Sequence, residues 1–164
     1  MAEGASAIRL SVTVNGRHED VVVPSRLTLL EFLRDRLRLT GTKLSCSRAV
    51  CGSCTVLVDG VPTASCAAFA FQVDGARITT IEGLRGDDGD LHPIQQAFID
   101  HSAFQCGYCT SGMIMLTKAL LDRTPSPSRG DVVKWLSSNI CRCTGYSMII
   151  DAVLDAAGRM REAS

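Results

Sequence analysis

A chain of 164 residues in which 17 Lys and Arg balance 17 Asp and Glu presents no basic excess for a phosphate backbone, so nucleic acid is not an expected partner. Its mean hydropathy of +0.16 and 46% hydrophobic content come without an apolar run of about 18 residues, which excludes a membrane span. The opening Met-Ala-Glu-Gly-Ala-Ser has neither a basic start nor an apolar stretch, so a cytoplasmic home is expected. Zero net charge suits a subunit held in an assembly better than a free carrier.

Residues 7–14 alternate apolar and polar with period two, Asn15-Gly16 supplies a turn, and residues 18–23 extend again until Pro24, which together predict a β-hairpin. From Thr28 the period becomes helical. Leu29, Leu30, Leu33 and Leu37 share a face, Thr28 and Glu31 form a capping-box pair, and Gly41 is the expected stop. Residues 55–62 predict a strand and turn, and residues 76–81 another strand. Three glycines and four acidic residues between 82 and 92 have the composition of a linker. Beyond it the texture is helical. Pro93 opens a first helix with Ile94, Ala97, Phe98 and His101 on one face. A second runs on from Cys109 to Asp122, a third starts after Ser128 and ends near Asn139, and a fourth covers about 147–160. The fold class is therefore α+β: a β-grasp ferredoxin-like domain over residues 1–83 and a four-helix bundle over residues 84–164.

Eight cysteines fall into two sets of four with none left over. Cys46, Cys51 and Cys54 run C-x4-C-x2-C, and Cys66 closes the set, which is the plant-type spacing for a [2Fe–2S] cluster. Gly52 lets the wrap approach closely, and the backbone N–H groups of residues 47–53 can point at sulfur. The second set is Cys106-x2-Cys109 followed by Cys141-Arg-Cys143, a pattern no common zinc module displays. Its sulfurs at i and i+2 suit a helix-to-loop corner, with Gly145 allowing a tight turn afterwards. This spacing favours a second cluster over zinc, less decisively than in the first set. A disulfide framework is disfavoured by a reducing compartment. His18, His92 and His101 share no ligand spacing and are expected in packing or solvated roles, and Trp135, Met113 and Met115 in the core. Arg142 either offsets thiolate charge or makes a subunit contact.

The strings C-x4-C-G-S-C-T-V-L-V-D-G, T-I-E-G-L, L-H-P-I-Q-Q-A-F, Q-C-G-Y-C-T-S-G-M-I-M and N-I-C-R-C-T-G-Y, in that order, resemble the small iron–sulfur subunit of the molybdenum hydroxylase (xanthine oxidase and xanthine dehydrogenase) family. The resemblance covers about residues 8–157. It implies a hetero-oligomer in which a large subunit holds molybdopterin, in its cytosine dinucleotide form, and a medium subunit holds FAD, while this chain carries single electrons between them. Cys106, Cys109, Cys141 and Cys143 match the ligands of the cluster nearer molybdenum, Gln105 matches a glutamine that hydrogen-bonds the pterin, and Cys143 the ligand nearest the pterin's amino group. Cys46, Cys51, Cys54 and Cys66 match the cluster nearer the flavin. The implied reaction is oxidative hydroxylation with water as the oxygen source, and no catalytic residue is expected on this chain. A free two-cluster ferredoxin shuttle is the alternative. Ser45, Ala49 and Ser138 stand where the family usually has glycine; a left-handed backbone at any of them would cost about 1 kcal/mol more than for glycine.

Overall fold

The computed structural model describes residues 6–86 and 89–162. Strands β1 (Ala7–Val14) and β2 (Arg17–Pro24) form the hairpin, and Asn15 and Gly16 both adopt positive φ, 49° and 81°, as a two-residue turn between twisted strands requires. Alternation puts Leu10, Val12 and Val14 on the buried face of β1. The strands β3 (Thr55–Val58), β4 (Val61–Ala64) and β5 (Arg77–Thr79) complete a five-stranded sheet of order β2-β1-β5-β3-β4, in which β5 lies parallel to β1.

A helix packs against one face of this sheet. Leu29–Glu31 is α-helical and Phe32–Arg36 continues it with π-helical pitch, the two together forming α1. The capping box is present: the Glu31 N–H donates to Thr28 Oγ1 at 3.2 Å and the Thr28 N–H to Glu31 Oε2 at 2.9 Å. Leu29, Leu30, Phe32 and Leu33 are buried, and the wider turn shows as the Leu37 N–H donating to Phe32 O. Gly41 does not stop the helix. Arg38, at φ 61°, turns the chain away. Gly41 is needed for another reason: a Cβ there would lie 2.3 Å from Ile81 Cγ2.

The expected linker begins as structure, because Ile81–Leu84 is a 3-10 turn whose Leu84 is buried among the helices, while residues 87 and 88 lie outside the described residues. Helices α2 (Pro93–Asp100), α3 (Thr110–Arg123), α4 (Arg129–Leu136) and α5 (Ser147–Glu162) follow. His92 caps α2, its Nδ1 accepting from the Ile94 N–H at 3.2 Å. His101 ends α2 and faces α5, with Nε2 3.0 Å from Asp155 Oδ2, and Arg159 bridges Asp155 and Asp100 at 2.6 and 2.7 Å. His18 is exposed on β2. Met113 and Met115 are core residues as expected. Trp135 is not: it is half-buried, with its indole N–H donating to Leu116 O at 2.9 Å beside a surface groove.

Two cores meet at β3. Val56 belongs to the sheet's core with Leu10, Phe32 and Ile78, whereas Leu57, on the opposite face, belongs to the helical core with Met113 and Leu136.

Candidate metal centres

The segment between Leu44 and Thr55 leaves regular structure to curl around Cys46. Ser47 at φ 54°, Ala49 at φ 55° and Gly52 at φ 70° make that curl, and Ser45 is not among the left-handed residues. Its effect is to turn the N–H groups of Arg48, Val50 and Cys51 onto Cys46 Sγ, each at 3.4 Å. These donors, with the neighbouring Cys51 thiol, pull the Cys46 thiol down to about 6, so it is largely the metal-ready thiolate at neutral pH. Cys54, directly before β3, and Cys66, after β4, make a second contacting pair. Burial pushes the Cys54 thiol up to about 11.

The other four thiols also pair by twos. Cys143 Sγ lies 3.6 Å from Cys106 Sγ at the surface, and beneath them Cys109, at the N-terminus of α3, meets the buried Cys141. Burial and the adjacent Cys141 thiol push Cys109 up to about 12. At Cys141 burial acts upward, yet the Thr144 hydroxyl 3.1 Å away and the Thr144 and Cys143 N–H groups outweigh it and lower the thiol. The corner after Cys143 is held open by Gly145 at φ 64° and Tyr146 at φ 69°. The Tyr146 hydroxyl accepts from the Cys141 N–H at 2.9 Å and donates to Asn139 O at 3.1 Å. Gln105 Nε2 donates to Cys143 O at 3.1 Å, so the two residues expected to face a pterin are together at the exposed end of this set. Arg142 is exposed.

The two sets are fastened to each other. The Ile140 N–H donates to Cys51 O at 2.9 Å, Asn139 Nδ2 donates to Gly52 O at 3.2 Å, and the Tyr108 hydroxyl donates to Leu44 O. None of these contacts had a signal in the cysteine spacing; Asn139 and Tyr146 lay inside a recognisable string without an assigned role.

Pairing by twos bears on which group these thiols fit. A single zinc ion needs four donors converging on one point, whereas each set here divides into two contacting pairs of thiols. A binuclear cluster instead takes two thiolates at each iron, and each set supplies two contacting pairs. The buried Thr110 and Ser111 hydroxyls, directly after Cys109, have no hydrogen-bond partner in the polypeptide, as donors facing a group of sulfides would not.

Comparison with known proteins agrees with this chemistry. Residues 12–78 match the family described as "2Fe-2S iron-sulfur cluster binding domain" and residues 80–154 that described as "[2Fe-2S] binding domain". The nicotine 6-hydroxylase small subunit of Paenarthrobacter nicotinovorans is 48% identical over 153 residues, which are 93% of this chain and 92% of that one. The chain belongs to the family of small iron–sulfur subunits of the molybdenum hydroxylases. Quinoline 2-oxidoreductase of Pseudomonas putida 86 shares the small-subunit fold with a TM-score of 0.89 at 43% identity, over 95% of this chain and 97% of that one. In the aldehyde oxidoreductase of Desulfovibrio gigas the similar unit is part of a longer chain, with a TM-score of 0.90 at 42% identity over 96% of this subunit and 18% of that chain. A small iron–sulfur subunit of this family is an electron-transfer component of an oxidoreductase, and two [2Fe–2S] binding domains fit two clusters. Among its described residues no helix is long and apolar enough to cross a membrane.

Proposed function

We propose that this subunit relays single electrons inside a heteromeric molybdenum hydroxylase of the cytoplasm, between a large subunit holding molybdopterin as the cytosine dinucleotide and a medium subunit holding FAD. A bound [2Fe–2S] cluster supplies reversible one-electron oxidation and reduction. Cys106 with Cys143 and Cys109 with Cys141 hold the irons of one cluster, and Cys46 with Cys51 and Cys54 with Cys66 those of the other. The Gln105 Nε2–H bond to the Cys143 carbonyl, beside the exposed Cys106 and Cys143, supports this end as the one that meets the pterin and takes up the electrons. Cys109 and Cys141 lie deeper, and Ile140 carries the connection from Cys141 to Cys51 through one backbone hydrogen bond. No carboxylate, histidine or hydroxyl of this chain is asked to break a substrate bond; its work is to hold sulfur at fixed positions and to keep water from the inner thiols.

The observation that carries this reading is the division of each cysteine set into two contacting pairs, with the sets tied together at Cys51 and Ile140. It is tested by isolating the tagged chain from its native cell under anaerobic conditions. The expected material absorbs in the visible, contains about four irons per chain as two [2Fe–2S] clusters require, and brings a molybdenum-containing and a flavin-containing partner. Iron without molybdenum or companions would point to a free shuttle instead. In freshly prepared Cys143→Ser protein one of two EPR signals disappears and the other is still visible; loss of neither contradicts the ligand assignment.

A further inference from the structure

Asn139 is buried to 4% exposure, and a buried amide needs partners. It follows α4, and its own N–H donates back to Leu136 O at 3.0 Å as an ordinary helix ending would. Its side chain does something else. Nδ2 donates across to the other domain, to Gly52 O at 3.2 Å and Thr55 Oγ1 at 3.4 Å. The seat exists only because residue 52 has no side chain: a Cβ on Gly52 would lie 1.7 Å from Asn139 Oδ1. Gly52 stands between two residues of the first cysteine set, Cys51 and Cys54, and Asn139 is two residues from Cys141 in the second. The next residue, Ile140, repeats the contact with its N–H to Cys51 O, and the Tyr146 hydroxyl ties Asn139 O to the Cys141 N–H. The Cys51–Cys54 turn is thus joined through Asn139 and Ile140 to the backbone that carries Cys141.

We propose that Asn139 is a positioning residue that couples the two cysteine sets, so that cluster occupancy of either set raises retention of the cluster in the other. This rests on the reading of the chain as a two-cluster subunit. Its physical basis is that metal binding orders the segment that holds it, and that two sites sharing one ordered segment share the ordering free energy. Such coupling is reciprocal. A helix-ending residue with only a local role would stabilise both domains without linking them.

The test uses the full chain, with the two EPR signals as separate reporters and an iron chelator titrated to equilibrium. In otherwise unchanged protein, Cys66→Ser removes the first-set signal at a ligand with no hydrogen bond to Asn139. It should lower the chelator concentration that halves the second-set signal by a factor on the order of 5–150, the usual range of intersite coupling. Cys143→Ser should lower the first-set midpoint by a similar factor. In an Asn139→Ala background both midpoints fall, and adding Cys66→Ser changes the second by a clearly smaller factor, the remainder passing through the Ile140 N–H to Cys51 O bond. Asn139→Asp, which keeps the side-chain volume and loses the Nδ2 donation, gives the same result if the alanine variant does not fold. A second-set midpoint indifferent to Cys66→Ser, or an undiminished response to it in both Asn139 variants, overturns the proposal. If the unsubstituted chain lacks a second EPR signal, the two-cluster reading itself falls and the coupling with it.

Discussion

Ala49 is held at φ 55° in the turn that feeds Cys46, a conformation in which a Cβ crowds the following carbonyl. The family resemblance implies a glycine at this position, and the backbone shows why. Ala49→Gly is expected to stabilise the chain by about 1 kcal/mol, since the relief of strain exceeds the added freedom of the unfolded state. Thermal unfolding of the two proteins measures it, and a lower midpoint for the glycine variant would contradict the strain. His92 offers a second single-residue test. Burial lowers its pKa from 6.5, and the neutral Nδ1 is the acceptor that caps α2. Below 6.5 the unfolded chain takes up a proton that the folded chain resists, so this contribution is present above that pH and is lost as pH falls through the lowered folded value. His92→Ala should cost about 1 kcal/mol at neutral pH. The difference between the two proteins should shrink on acidification toward the lowered value; a constant difference would show that the imidazole is not the cap.

Elements whose signals are local were legible. Asn15-Gly16, the Thr28–Glu31 box and Pro93 each act within a few residues, and the hairpin, the start of α1 and the start of α2 stand where those residues put them. The cysteine spacing was equally local. What escaped was set by partners distant in sequence. Strand β4 is a short edge strand containing Pro62, which reads as a turn because only an edge tolerates a missing donor. The π-helical pitch of Phe32–Arg36 puts consecutive Phe32 and Leu33 inside, a pattern that a period of 3.6 does not distinguish. Gly41 reads as a helix stop until Ile81 is seen against it. Strand β3 carries the sharpest test at this scale, because its two faces serve different cores. Thr28→Ala should cost about 1 kcal/mol and loosen only α1. Leu57→Ala, from a residue 4% exposed in the helical core, should cost about 2–5 kcal/mol, with hydrogen exchange rising in α3 more than in β1. Equal exchange in both would mean that the cores are not separate.

At the scale of the molecule the question is whether the two domains unfold together. Gly112 decides it. By propensity a glycine inside α3 costs about 1 kcal/mol relative to alanine, so the sequence alone marks Gly112→Ala as an improvement. The structure reverses the sign: a Cβ there would lie 2.2 Å from Gly52 O and 3.1 Å from Ser53 Cα, both backbone atoms of the first cysteine turn. Helix α3 would have to back away from β3, opening the seam that Asn139 and Ile140 close. Gly158 in α5 is the matched control, because nothing lies within 4 Å of the Cβ it would gain. Gly158→Ala should therefore raise stability by about 1 kcal/mol, while Gly112→Ala should lower it and split a single calorimetric transition into two. A rise for both variants would show that α3 is free to move and that the two cysteine sets are not held in one frame.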